Sequence, residues 1–466
     1  MSILVSRTMR RRLQSVGPLF LLGLCLWSLP TNSDALLMDA TAYNDLGVVN
    51  QSKGDLDGAI ENYRAALKLT PDFPEAMYNL GVALQAKGDL DSAIVQYRAI
   101  LTLTPDAPDA YGNLGNALKA RGNLEAAVEA YHAALRLDPN HPSIHYNLAI
   151  TLRAQGNLAG AIEEYREAIR VQPDDVSARN NLGILLQGQG RIDEAIAQYR
   201  EAIRVQPDHV NARYSLGTAL QARGDLVAAI AEYRTVLRLQ PAHIGAHNNL
   251  GIALQATGDL NGAIAEYQTA ISLKPGHVKA YYNLGIARQA ARDLDGAIAA
   301  FRDAIRLQPD YANAHQGLAD ALQEQGDLEG AVAEYRTVLR LQPTHTAALL
   351  NLGAALQANG DLDGAIAMYH HLLSLQPDRA RARYNLGVAL QANGDLDGAI
   401  EQYRVLVNLR QDYALGFYAL GELLAQKGLL KEAAAALRNY LAKENDTSDT
   451  HQRIERARAR LKELGN

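Results

Sequence analysis

Apolar residues recur along most of the chain in a pattern that predicts pairs of short helices. In residues 74–107, Leu80 and Leu84 lie four positions apart, as on one face of a helix. After a polar break, a second stripe has the i, i+4, i+7, i+11 spacing of another helix, formed by Leu90, Ile94, Tyr97 and Leu101. The pattern therefore predicts two amphipathic helices joined by a turn.

The polar break carries the residues that such a turn requires. Gly88 can adopt the left-handed conformation that ends a helix, and Asp89 can cap the next one. Pro105 ends the second helix because it lacks an amide hydrogen and clashes with the preceding turn.

The same unit recurs every 34 residues. Residues 79–98 and 385–404 agree at seventeen of twenty positions across a separation of 306, which is nine times 34. The register residue of each unit is a leucine: Leu46, Leu80, Leu114, Leu148, Leu182, Leu216, Leu250, Leu284, Leu318, Leu352, Leu386 and Leu420. No insertion breaks this register, so we predict twelve tandem units over residues 40–447.

Small and large residues alternate in a way that explains how the helices pack. Gly81 and Ala93 allow two helix axes to approach, and their equivalents are Gly or Ala in all twelve units. Tyr97 fills the space between neighbouring hairpins, and Phe301 and Leu437 are the two replacements at this position. One hairpin cannot bury this surface alone, so the units must stack.

The 34-residue period and the Leu-Gly, Ala, Tyr, Pro pattern resemble the tetratricopeptide repeat (TPR). The resemblance implies an all-α fold, a right-handed α-solenoid or superhelix of about twelve helix–turn–helix units. Residues 448–466 are predicted to form a C-terminal capping helix. The local departures from the pattern are Arg292 for the turn glycine, Ala149 and Ala319 for the Leu-Gly glycine, and Gln411 for the proline.

The first 35 residues differ in kind from the repeats. Four arginines precede an apolar run from Val16 to Leu29, and Ser33-Asp34-Ala35 supplies small residues at a cleavage site. We expect either a cleaved signal peptide or an uncleaved N-terminal membrane anchor. Both place the repeats outside the cytoplasm, so the protein is expected to be exported (periplasmic or secreted), with the anchor as a route to membrane association.

Composition narrows the function classes. The formal charge is −6, and removing residues 1–35 (four arginines and one aspartate) leaves −9, which argues against a nucleic-acid partner. Cys25 is the only cysteine, so the repeats contain no disulfide.

Motifs for catalysis or cofactors are missing from the sequence. We predict no enzyme, no cofactor and no metal site. Two histidine pairs have the i, i+4 spacing of metal ligands, but we expect them to be solvent-exposed instead; they are His141/His145 and His243/His247.

Asparagine occupies the position before the Leu-Gly pair in eight units, although it is a mediocre helix former. These residues are Asn79, Asn113, Asn147, Asn181, Asn249, Asn283, Asn351 and Asn385. This ladder resembles the one in the TPR superhelix of O-linked N-acetylglucosamine transferase, and the resemblance implies that the amides clamp an extended peptide in a concave groove. The alternative is that the asparagines satisfy groups of the adjacent repeat.

Tyrosine precedes the ladder position in several units, and glutamine follows it later in the first helix. The candidate tyrosines are Tyr78, Tyr146, Tyr214, Tyr282 and Tyr384. Together with the asparagines they predict a neutral, hydrogen-bonding surface suited to a peptide backbone.

Arginine pairs on the second helices predict either a basic ridge for an acidic partner or a solvated face balanced by acids such as Glu163 and Glu232. The pairs are Arg166/Arg170, Arg200/Arg204, Arg234/Arg238, Arg302/Arg306 and Arg336/Arg340.

The function predicted from these features is a non-enzymatic scaffold for protein–protein interaction that binds extended peptides or partner proteins. One alternative is a TPR part or relative of a peptide O-GlcNAc-type glycosyltransferase system that lacks the catalytic domain, since 19 residues follow Thr447. Another is an adaptor of an envelope or polysaccharide-export complex.

Overall fold

A computed structural model describes residues 39–447 and 449–465. The described residues form 25 α-helices and no β-strand, which confirms the all-α repeat fold. They fall into two compact units, with the boundary between Asn140 and His141. The predicted signal peptide or anchor lies outside the described residues. None of the described helices combines the length and the apolar character that crossing a membrane requires.

The smaller unit contains three helical hairpins. Its helices are α1 (Ala40–Ser52), α2 (Leu56–Leu69), α3 (Pro74–Lys87), α4 (Leu90–Leu103), α5 (Pro108–Ala120) and α6 (Leu124–Leu137). Each odd-numbered helix is the first helix of a repeat, and each even-numbered helix is the second.

The larger unit contains nine further hairpins and one last helix. The hairpins are α7 (Pro142–Ala154) with α8 (Leu158–Val171), α9 (Val176–Gly188) with α10 (Ile192–Val205), α11 (Val210–Arg223) with α12 (Leu226–Leu239), α13 (Ile244–Ala256) with α14 (Leu260–Leu273), α15 (Val278–Ala290) with α16 (Leu294–Leu307), α17 (Ala312–Gln325) with α18 (Leu328–Leu341), α19 (Thr346–Ala358) with α20 (Leu362–Leu375), α21 (Ala380–Ala392) with α22 (Leu396–Leu409), and α23 (Ala414–Gln426) with α24 (Leu430–Lys443). The last helix is α25 (His451–Glu463).

The turn between the two helices of a repeat has the predicted chemistry. Gly88 has a φ of 90°, a left-handed conformation that glycine adopts without steric cost. Asp89 caps the second helix, because its side chain accepts a hydrogen bond of 3.1 Å from the backbone N–H of Ser92.

The core of most hairpins is an aromatic ring set against a glycine; the exceptions are Ala149, Ala319 and Leu437. Tyr97 is fully buried, and a Cβ atom added to Gly81 would lie only 2.8 Å from its Cε1 atom. Phe301 replaces the tyrosine in one repeat and is equally buried. At Gly81 a side chain would collide with the ring that packs on it, whereas Ala149 and Ala319 are accommodated at the same position in two other repeats.

The last helix, α25, packs on the end of the larger unit. Ile454 and Ala457 are buried, and Leu461 and Leu464 pack against the same core. This is the face that the sequence predicts for a capping helix.

Arg292 is the one turn residue that departs from glycine, and the structure gives the compensation. It is the only non-glycine with a positive φ, 65°, among the described residues. Its guanidinium pairs with Glu324 of the following repeat. We expect Arg292→Gly to be more stable than Arg292→Ala by about 1 kcal/mol, because both lose the ion pair but only alanine keeps the left-handed strain. Urea denaturation of the two variants measures this difference, and equal stabilities would contradict it.

Candidate functional site

The asparagine ladder lies where neighbouring repeats meet. Its side chains are half-buried, and five of the eight donate to the residue 35 positions earlier, on the preceding repeat. In the smaller unit, Asn79 Nδ2 donates to Asn44 Oδ1 at 3.0 Å, and Asn113 Nδ2 donates to the Tyr78 hydroxyl at 2.9 Å. The ladder therefore links repeats, which is the alternative that the sequence left open.

The larger unit continues the same links. Asn181 donates to Tyr146 and Asn249 to Tyr214, each at 3.0 Å. Asn283 donates to Asn248 Oδ1, also at 3.0 Å. The tyrosines and asparagines that the sequence suggested separately are thus partners across an interface. A constant separation of 35 residues was the signal for this pairing.

The buried core tyrosines reach the same surface with their hydroxyl groups. The Tyr233 hydroxyl donates to Gln221 Oε1 of its own repeat at 2.8 Å, and Tyr97 donates to Gln85 at 3.1 Å. The recurring glutamine, interpreted from the sequence as part of the binding surface, therefore holds a core residue in these repeats.

The ladder amide of the next repeat also lies beside a core hydroxyl. Burial raises the pKa of Tyr165 to about 12, and the carboxamide of Asn181 opposes part of that rise. Burial likewise raises the pKa of Tyr369 to about 12, opposed by the carboxamide of Asn385. In these two repeats the ladder position carries an amide near the hydroxyl of the preceding core residue, whereas Ala419 follows Tyr403 without one.

Phe301 differs from the core tyrosines. It has no hydroxyl, and the ladder position of the next repeat is Gly317. A Cβ atom at Gly317 would lie 2.6 Å from the Phe301 ring, so the glycine is also required sterically. Gly317 is one of four ladder positions without asparagine; the others are Asp45, Ser215 and Ala419.

The remaining candidate residues have other surroundings. Asn351 donates to Asp320 Oδ1 at 3.1 Å, and Asn147 accepts from Thr151 through its backbone carbonyl. Tyr282 lies between two rings that are tilted or edge-on to it, with its centroid 6.0 Å from Phe301 and 5.4 Å from Tyr311. Tyr384 has an equivalent position, with its centroid 5.8 Å from Tyr403 and 5.9 Å from Tyr413.

Asp320 accepts three side-chain hydrogen bonds in the repeat whose ladder position is Gly317. The Tyr335 hydroxyl donates to it at 2.5 Å, and Gln316 Nε2 donates at 2.9 Å, in addition to the amide of Asn351. An open cleft of about 260 Å³ adjoins these groups. Asp320 was missed in the sequence because other repeats mostly carry an apolar residue at its position.

In several repeats a side chain of the first helix bonds to a polar side chain of the second helix, and we call this contact a polar bridge. His247 is buried, with Nε2 2.8 Å from the Pro241 carbonyl oxygen and Nδ1 2.6 Å from Glu266 Oε2. His145 is also buried, with Nδ1 2.6 Å from Glu164 Oε2. The expectation that His145 and His247 are solvent-exposed is therefore wrong, because each bonds to a carboxylate of the second helix.

Arginine takes the place of histidine in other polar bridges. Arg213 donates to the Pro207 carbonyl at 2.6 Å and to Glu232 Oε2 at 2.7 Å. A carboxylate or amide 19 residues after the bridging residue is the sequence signal for this arrangement.

Histidines of the loops between repeats have a separate role. His209 and His243 each accept a backbone N–H through Nδ1, at 3.1 and 3.0 Å, and so cap the helix that follows. His277 and His345 do the same at 3.1 Å.

Two sequence profiles match the chain. The profile described as TPR repeat matches residues 51–88 and 85–120. The profile described as Tetratricopeptide repeat matches residues 113–176, 180–244, 248–312, 282–346, 317–369 and 350–414, which is more than half of the chain. No curated protein sequence matches.

Solved structures similar to the chain include other repeat proteins. MamA from Desulfovibrio magneticus RS-1 is 25% identical with a TM-score of 0.35, over 37% of this chain and 97% of that one. PilF of Pseudomonas aeruginosa is 23% identical with a TM-score of 0.41, over 46% of this chain and 98% of that one. Yeast Tom70 is 16% identical with a TM-score of 0.38, over 91% of this chain and 96% of that one.

Proposed function

Because the chain belongs to the tetratricopeptide repeat family, whose members are generally scaffolds for protein interaction, we propose that it is a non-enzymatic scaffold that binds extended peptide segments along the asparagine ladder. The family membership supports the coarser part of this statement, a repeat scaffold with protein partners. The ladder supports the finer part, the surface that the partner contacts.

The observation that carries the proposal is the unused hydrogen-bonding capacity of the ladder. A carboxamide offers two N–H donors and one oxygen acceptor. Asn181 and Asn283 each spend one N–H on the preceding repeat, and no described residue donates to their Oδ1 atoms. Because both side chains are half-exposed, these oxygens suit the N–H groups of an extended peptide.

The intramolecular bond also favours this use. A side chain that is held by Tyr146 or Asn248 has lost rotamer freedom before a ligand arrives. Binding then costs less conformational entropy than it would with a free asparagine. Linking repeats and binding peptide are therefore compatible roles for the same residues.

The test replaces Asn181, Asn249 and Asn283 together by alanine. Peptides are first selected on the wild-type chain from a random library of short unstructured peptides. We expect the triple variant to bind the selected peptides about 10- to 2,000-fold more weakly, from roughly 0.5–1.5 kcal/mol for each of three hydrogen bonds. Fluorescence anisotropy of the labelled peptides measures the affinities.

The matched control replaces three exposed asparagines of the second helices, Asn261, Asn408 and Asn439, by alanine. It should bind the peptides as the wild-type chain does. Thermal melting of the ladder variant tests the other role, which is to link repeats. Each lost half-buried hydrogen bond should lower the free energy of unfolding by about 1 kcal/mol. Equal binding by the two triple variants would rule out the ladder as the peptide surface.

A further inference from the structure

A row of arginines lies on the exposed side of the second helices in the larger unit. We call Arg200, Arg234, Arg302 and Arg336 the arginine row; they share one position of the repeat, and Gln268 occupies it between Arg234 and Arg302. All four are exposed. Within the part of the chain that the structure describes, none of them makes an ion pair or a side-chain hydrogen bond.

Where an acid stands two residues before the row position, it belongs to a polar bridge and does not neutralise the row. Glu232 pairs with Arg213 at 2.7 Å, so it does not balance Arg234 as the sequence suggested. Glu266 and Glu334 lie 2.6 and 2.5 Å from the histidines of their own bridges. The carboxylates therefore bond to first-helix side chains, while the arginines remain exposed.

Other arginines of the second helices, at the row position or four residues after it, have the ion-pair partner that the row lacks. Arg166 pairs with Glu163, three residues earlier, at 2.9 Å. Arg204 and Arg306 pair in the same way with Glu201 and Asp303, at 2.8 Å. Three residues before each member of the row stands an alanine instead: Ala197, Ala231, Ala299 and Ala333. The row is thus a set of cations that have no ion-pair partner among the described residues, because the nearby acids Glu201 and Asp303 pair with Arg204 and Arg306.

We propose that the arginine row binds an extended acidic segment of a partner protein, through Asp or Glu carboxylates. A guanidinium presents a planar fork of N–H donors that fits a carboxylate, and no lysine occupies the row positions. One cation per repeat forms a line, which suits a linear segment better than a lipid surface that attracts clustered charges. The acidic chain as a whole disfavours nucleic acid.

The test uses a fluorescent polyglutamate peptide and the full chain at low ionic strength. The variant Arg234→Gln/Arg302→Gln/Arg336→Gln should bind the peptide about tenfold more weakly, because it loses three exposed ion pairs that each contribute a small part of the affinity. Glutamine is the natural residue at position 268, so the variant should fold and melt as the wild-type chain does. Binding by the wild-type chain should weaken as salt is added.

The matched control, Arg166→Gln/Arg204→Gln/Arg306→Gln, changes the net charge by the same amount but removes arginines that already have partners. We expect it to lose less than half of its affinity for polyglutamate. An equal loss in both variants would mean that net charge alone attracts the peptide. Binding of phosphatidylserine vesicles without binding of polyglutamate, or no binding at all, would also overturn the proposal. The ladder variant should bind polyglutamate normally, which separates this surface from the proposed peptide site.

Discussion

Replacing Tyr267 by alanine is expected to lower the free energy of unfolding by about 3–5 kcal/mol, the range for truncating a large buried ring. The ring is fully buried and fills the space that Gly251 leaves, where an added Cβ would lie 2.6 Å from Tyr267 Cε1. Urea denaturation followed by circular dichroism measures the loss.

Tyr267→Phe is the control, because Phe301 shows that the position accepts a phenyl ring. It removes only the hydrogen bond from the hydroxyl to Gln255, which is 3.2 Å long. We expect it to cost about 1 kcal/mol. If phenylalanine were as costly as alanine, the hydroxyl rather than the ring would hold the hairpin together.

Alkaline pH is expected to unfold the array. The free energy of unfolding should not change with pH below about pH 9 and should fall steeply above about pH 10. Burial raises the pKa of nine tyrosines at the core position; among them it reaches about 12 in Tyr63, Tyr165 and Tyr369, and the others are Tyr97, Tyr199, Tyr233, Tyr267, Tyr335 and Tyr403. An unfolded tyrosine ionises near pH 10. Above that pH the unfolded chain binds fewer protons than the folded one, so stability falls as pH rises.

Each core tyrosine that unfolds contributes a slope of up to about 1.4 kcal/mol per pH unit between its unfolded and folded pKa values. The double variant Tyr233→Phe/Tyr267→Phe should therefore show a shallower loss of stability with pH than the wild-type chain. Urea denaturation at a series of pH values tests this. Parallel curves for the two proteins would show that ionisation of other groups drives the alkaline transition.

The hairpins could be predicted from the sequence because each depends on residues within 34 positions. Leu80, Gly88 and Tyr97 determine a helix face, a turn and a core ring by local spacing alone. The pairing of Asn113 with Tyr78 could not be derived in the same way, because it depends on how one hairpin stacks on the next. A separation of 35 residues becomes meaningful only once that stacking is known.

His247 shows a second limit. Its spacing from His243 suggested an exposed face, because a helical pattern places polar residues toward solvent by default. Burial is stabilised by two acceptors that lie outside the helix, the Pro241 carbonyl and Glu266. A buried polar residue with distant partners cannot be recognised from the periodicity of its own helix.

Near-identical hairpins carry a risk during folding, since a hairpin can pair with the wrong neighbour, in its own chain or in another copy. The bonds of the ladder reduce that risk because they differ from one interface to the next. Tyr214 meets Asn249, Asn248 meets Asn283, and Asp320 meets Asn351. The Tyr–Asn pair recurs, but the interface that follows Tyr214–Asn249 carries an Asn–Asn pair instead, so a hairpin displaced by one repeat there meets a different hydrogen-bond partner.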